Sequence, residues 1–111
     1  MDRQIRKDAI AAYKRRKPAL GVYAIICTAT GEAWVGSSNR VDTQKNKLWF
    51  ELGLGKSRLS SVQAAWNRHG AQEFRFEELD RLREDFPEID RDDELKKRQA
   101  LWQTRLQASA I

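Results

Sequence analysis

Residues 21–36 read GVYAIICTATGEAWVG. Leu20 to Thr28 is rich in β-branched and aromatic residues and is predicted to be a buried strand. TATGEA, with Gly31, supplies a turn, and Ala33 to Ser37 is expected to pair back as a hairpin. The hairpin opens on Gly21-Val22-Tyr23 and closes on Trp34-Val35-Gly36. Two similar tripeptides thus face one another, one carrying a phenol and the other an indole.

Periodicity extends the reading in both directions. Ile5, Ala9, Ile10 and Tyr13 predict a helix over 2–16, which Pro18 closes. Val41, Leu48, Trp49 and Leu52 share one face of a helix over 41–53, with Gly53 and Gly55 at its end. Leu59, Val62 and Trp66 mark a helix over 58–68, with Gly70 placed as a left-handed cap. Phe74 and Phe76 alternate with Arg75 and Glu77 as a third strand, and 80–93, containing Pro87, reads as a polar loop. A last helix over 92–108 carries Leu95, Trp102 and Leu106 on one stripe. The order α-β-β-α-α-β-α predicts a mixed α/β (α+β) domain. Its core is a small three-stranded antiparallel-type sheet flanked by helices, with an extra N-terminal helix. Two segments follow: a basic helix over 1–19 and the domain over 20–111.

At 111 residues the chain suffices for one modest core, and 41% hydrophobic with 33% charged residues fits a globular protein. No apolar run nears the roughly 20 residues a bilayer span needs, and the N-terminus lacks a secretory h-region. With Cys27 as its one cysteine, in an apolar run, the expected compartment is the cytoplasm. Charge is uneven. Residues 1–20 carry seven basic and two acidic side chains, and 40–70 carry six and two, whereas 71–111 carry eight and eleven. A basic first part points to nucleic acid before membrane.

The two tripeptides, VGSSNR at 35–40, Val62-Gln63 with Trp66-Asn67-Arg68-His69-Gly70, and the following Phe74-x-Phe76 lie in register. Together they resemble the GIY-YIG nuclease family, ungapped from Gly21 to about Leu79 and again in the last helix. The resemblance implies a set of parts for phosphodiester hydrolysis. A first-signature tyrosine takes a proton from water, and a second-signature tyrosine assists at the phosphate. An arginine neutralises phosphoryl charge, and a glutamate holds one divalent metal. Carried over position by position, the first tyrosine is Tyr23. The second is replaced by Trp34, which has no ionisable hydroxyl. The arginine position is Gln44, a frequent histidine falls on Leu48, and the metal glutamate, three residues before Trp102, is Gln99.

Of these positions only Tyr23 keeps its family residue type. Gln99 lies on the inward stripe, whereas Glu94 faces elsewhere and Asp92 and Asp93 serve the helix start. Trp34 is placed either to stack on a nucleobase or to fill the void left by the missing groups. A cation and an anion are lost together, which leaves two neutral amides to bond each other or water. Arg40, Lys45, Lys47, Lys56 and Arg58 border the expected groove as phosphate contacts. The expectation is a nucleic-acid-binding domain, DNA ahead of RNA, with weak or no cleavage and no cofactor. Mg²⁺ or Mn²⁺ enters only if the site is active. Two alternatives stay open: a metal-dependent endonuclease using Tyr23, and a module that meets a protein partner through the altered cleft.

Overall fold

A computed structural model of the protein describes residues 19–111. The expected helix over 2–16 and the basic run ahead of Pro18 lie outside them. Strand β1 spans Gly21–Cys27 and β2 Ala33–Ser38. Helices α1 (Val41–Gly53) and α2 (Ser60–His69) follow, then β3 (Phe74–Arg81), α3 (Arg91–Leu106) and β4 (Ser109–Ala110). Short 3-10 turns at Ala71–Glu73 and Glu88–Asp90 lead into β3 and α3. None of the helices in 19–111 is long and apolar enough to cross a membrane.

The sheet has four strands in the order β3-β1-β2-β4, not three. β1 pairs antiparallel with β2 and with β3, while β4 pairs parallel with β2 through Trp34↔Ser109 and Val35↔Ala110. Gln107 makes this fourth strand possible. Its left-handed backbone (φ 51°) stops α3 two residues before the expected end and turns the chain back along β2. The segment 80–93 is likewise more ordered than its polarity indicates. Asp80 and Arg81 complete β3, Leu82 is buried, and its N–H donates to the Leu20 carbonyl. Gly70 does take a positive φ (88°), but with an extended ψ, because the chain turns at once into the 3-10 segment before β3.

Alternation along β1 divides the core between two faces. Tyr23, Ile25 and Cys27 join Trp34, Phe74 and the inner faces of α1 and α2. Val22, Ala24 and Val35 pack with Leu82 and Leu95 beneath α3. Cys27 is fully buried there as a small core residue. On the first face the rings form a continuous run. Trp49 meets Trp66 edge-on at 5.6 Å and Phe76 at 6.1 Å, while Trp66 lies 5.2 Å from Phe74 and Tyr23 stacks on Phe76 at 5.2 Å. Gln63 anchors the α1–α2 connection. Its amide N–H₂ donates to the Leu52 carbonyl and to Asn67, and its oxygen accepts from the Ser57 N–H. That explains why a buried glutamine sits in the Val62-Gln63 motif.

The signature glycines are required by close approach. A Cβ at Gly21 would collide with the Asp80 carbonyl and lie 2.9 Å from Val41 Cγ1. At Gly36 it would lie 2.7 Å from the Tyr23 hydroxyl, 2.8 Å from Cζ and 3.2 Å from Ile111 Cγ1. A bulge in β3, where Leu79 is skipped between Val22↔Asp80 and Tyr23↔Glu78, falls beside the same tyrosine. Backbone cannot yield as a phenol can. Gly21→Ala is therefore expected to lose on the order of 3 kcal/mol in urea unfolding, and Gly36→Ala about 1–2 kcal/mol. Equal losses would contradict this ranking.

Candidate functional site

Tyr23 sits mid-β1, opposite Gly36 of β2, with its ring laid over the bare glycine toward the outer edge of the hairpin. The residue is 5% exposed. From α1, Gln44 reaches this point: its Oε1 accepts from Ser38 Oγ at 2.8 Å, and its side chain hydrogen-bonds the Tyr23 hydroxyl. Ser38 Oγ in turn accepts from the Arg40 N–H at 2.9 Å, which fixes the start of α1 against the end of β2. From the other face of the sheet, Gln99 of α3 donates Nε2–H to the Val35 carbonyl at 3.0 Å. The same carbonyl accepts the Ile111 N–H at 3.0 Å.

Tyr23 and Gln44 therefore lie on one face of β2 near residues 36–38, and Gln99 reaches the Val35 carbonyl from the other. The two amides have separate partners, and no hydrogen bond joins them. Of the alternatives left open for the two amides, the mutual bond does not form: each bonds within the fold on its own face of the sheet, because β2 stands between α1 and α3.

Trp34 does not line an open cleft. It is 2% exposed, stacks with Phe74 at 6.3 Å, and donates its indole N–H to Ser61 Oγ on α2 at 3.1 Å. Stacking on a nucleobase is thus corrected to the filling role, since neither ring face reaches solvent. Leu48, at the histidine position, is a core side chain of α1.

Burial pushes the Tyr23 phenol above its ordinary value, and the Gln44 hydrogen bond pulls it only part of the way back. Both the apolar surroundings and the direction of the shift keep the hydroxyl protonated near neutral pH. Among the described residues no three His, Cys, Asp or Glu side chains are grouped to hold a metal ion. At the family's metal position a neutral amide turns a donor N–H toward backbone, which is the wrong polarity for a hard cation. Glu94 pairs instead with Arg98, which also holds Asp80 at 2.9 Å. The residues around Tyr23 do not fit the family's metal.

The basic residues differ in disposition. Arg40 precedes α1, with Nε 3.4 Å from Asp42 Oδ1 and without a hydrogen bond. Lys45 lies over the Trp49 ring at 5.7 Å, on the flank away from Gln44. Lys47 is exposed one turn beyond Gln44, and Lys56 and Arg58 are exposed on the α1–α2 connection. Arg40 is linked to the site through its backbone N–H to Ser38, whereas Lys45 is engaged with Trp49. A cavity of about 270 Å³ between the hairpin turn and α2 is lined by Glu32, Ser61, Arg68 and His69, and by none of the site positions.

No protein-family model matches the sequence, and no curated protein does. Among solved structures, the catalytic domain of the homing endonuclease I-TevI superposes with a TM-score of 0.64. The match is 22% identical and covers 83% of this chain and 97% of that one. A point variant of the catalytic domain of the same intron endonuclease matches with a TM-score of 0.65 at 21% identity, covering 80% and 84%. The fold is GIY-YIG-like.

Two outcomes check this geometry. Removing the acceptor of a buried indole N–H leaves a donor unpaired, so Ser61→Ala is expected to lower unfolding free energy by about 1–2 kcal/mol. Stability unchanged in urea would mean that Trp34 has another partner. The raised Tyr23 pKa contributes stability fully below the unfolded phenol value of about 10, lost as pH rises through the folded value. Thermal unfolding above pH ~10 should therefore fall less steeply for Tyr23→Phe than for the wild type. Parallel curves would contradict a buried phenol.

Proposed function

We propose that the chain is a nucleic-acid-binding domain on a GIY-YIG-like scaffold, with DNA as the favoured partner and with weak or no phosphodiester cleavage. The observation that carries this reading is the condition of Gln44 and Gln99. Each occupies a position where the family has a charged group, and each is committed to hydrogen bonds within the fold. Hydrolysis needs a base at the water, a cation at the phosphate and an anion for a metal. Here the tyrosine is buried and protonated, and the other two groups are neutral.

Binding has separate support. Arg40 precedes α1 at the site, Lys47, Lys56 and Arg58 are exposed along α1 and the connection after it, and these last three have no carboxylate partner among the described residues. Exposed cations without counter-charges gain affinity by releasing the counterions of a phosphate backbone. They carry no base readout, so sequence-tolerant binding is expected. The likeness in fold to the catalytic domain of a homing endonuclease supports DNA as the partner.

The test is fluorescence anisotropy with a short labelled DNA duplex across about 50–200 mM salt, where log Kd is expected to rise with log salt at a slope of roughly 3–4. Arg40→Ala/Lys47→Ala should lower that slope by about 2 and weaken binding several-fold. Binding that ignores salt would transfer the reading to a protein partner. A variant that binds as the wild type does would remove the two cations from the interface.

A further inference from the structure

The last residues of the described chain lie on the site. After α3, the Ala108 N–H donates to the Gln103 carbonyl at 2.9 Å, and the Gln107 N–H donates to the Thr104 carbonyl at 3.3 Å. The left-handed Gln107 then sends the chain along the free edge of β2. Ala108 packs with the cluster beneath α3, and Ile111 packs with the opposite cluster, which contains Tyr23. The segment thus crosses the sheet edge from one face to the other. At the crossing, Ile111 Cγ1 and the Tyr23 hydroxyl flank the same point above Gly36.

We propose that residues 107–111 form a strap that covers the Tyr23 hydroxyl from the β2 edge and competes there with nucleic acid; the competition rests on the nucleic-acid-binding reading. Three observations support it. Pairing with β4 occupies the β2 edge at Trp34 and Val35, just ahead of Gly36. Gln99 shares the Val35 carbonyl with Ile111, so the residue at the family's metal position also ties down the strand on which the strap rests. A glutamate there would set a carboxylate against that carbonyl, with no hydrogen to donate. Finally, the attachment is slight: a two-residue strand with Ser109 and Ala110 exposed, anchored apolarly by Ala108 and Ile111. Segments with so few buried contacts open well before the fold does.

Two neutral variants of the full chain move the strap in opposite directions. Ile111→Gly removes the group over Gly36, and Gln107→Gly relieves the left-handed backbone and holds the strap closed. Amide exchange at Ala108 and residue 111 is expected to quicken at least tenfold in Ile111→Gly and to slow in Gln107→Gly. Affinity for a short DNA duplex should rise at least threefold in the first and fall in the second. Affinities equal to the wild type's in both variants would overturn the strap as a competitor.

If neither the wild type nor the variants bind DNA, the nucleic-acid reading falls and the phenol decides the rest. Alkaline absorbance titration of Tyr23, taken as the difference from Tyr23→Phe, should then show ionisation at lower pH in Ile111→Gly. An unmoved titration would overturn the strap as a cover.

Discussion

The site depends on one steric fact: the Tyr23 ring occupies the space that a side chain at residue 36 would fill. Antiparallel register brings the two residues opposite each other, and only a glycine lets the phenol cross β2 toward its edge. Once there, the hydroxyl is within reach of α1 through Gln44, and the apolar end of the chain covers it. The start of α1 is fixed by the same arrangement, since Ser38 links Gln44 to the Arg40 backbone. Aromatic packing behind the ring, from Phe76 through Trp49 to Trp66, holds the phenol in place.

The three substituted positions make physical sense as a set. A guanidinium at residue 44 or a carboxylate at residue 99 would each be half-buried on its own face of the sheet, too far from the other to pair with it, and a charge taken from water without a partner is costly. With both neutral, each amide is satisfied locally, and no charge is left to a ligand. Trp34 follows the same logic, with its polar atom given to Ser61 and its ring to the core. At residues 44, 34 and 99 the polar groups form bonds that hold β2 to α1, α2 and α3.

How far this was legible in the residues differs by element. The hairpin and both central helices follow from alternation, apolar stripes and glycine placement, and the structure repeats them. The in-register motifs likewise anticipate the GIY-YIG-like fold, with Tyr23 and Gln44 on one face of β2 and Gln99 on the other. β4 could not be read, because Ser109 and Ala110 carry neither β-branching nor alternation and pair only because Gln107 turns the chain. The order within 80–93 was hidden by charge, since Asp80 and Arg98 satisfy one another and leave Leu82 as the sole buried apolar residue there. Trp34 was ambiguous for a different reason. Sequence shows that a phenol is missing but not that α2 offers the indole a serine.

The most direct measurement is a cleavage assay on labelled DNA and RNA with Mg²⁺ and then Mn²⁺, run beside Tyr23→Phe and the combined Trp34→Tyr/Gln44→Arg/Gln99→Glu protein. The account predicts that the wild type leaves the strands intact while the combined variant cuts them, because the scaffold is kept and the charged groups are what it lacks. Cutting by the wild type that disappears in Tyr23→Phe would contradict it and show that a working site had formed from other residues.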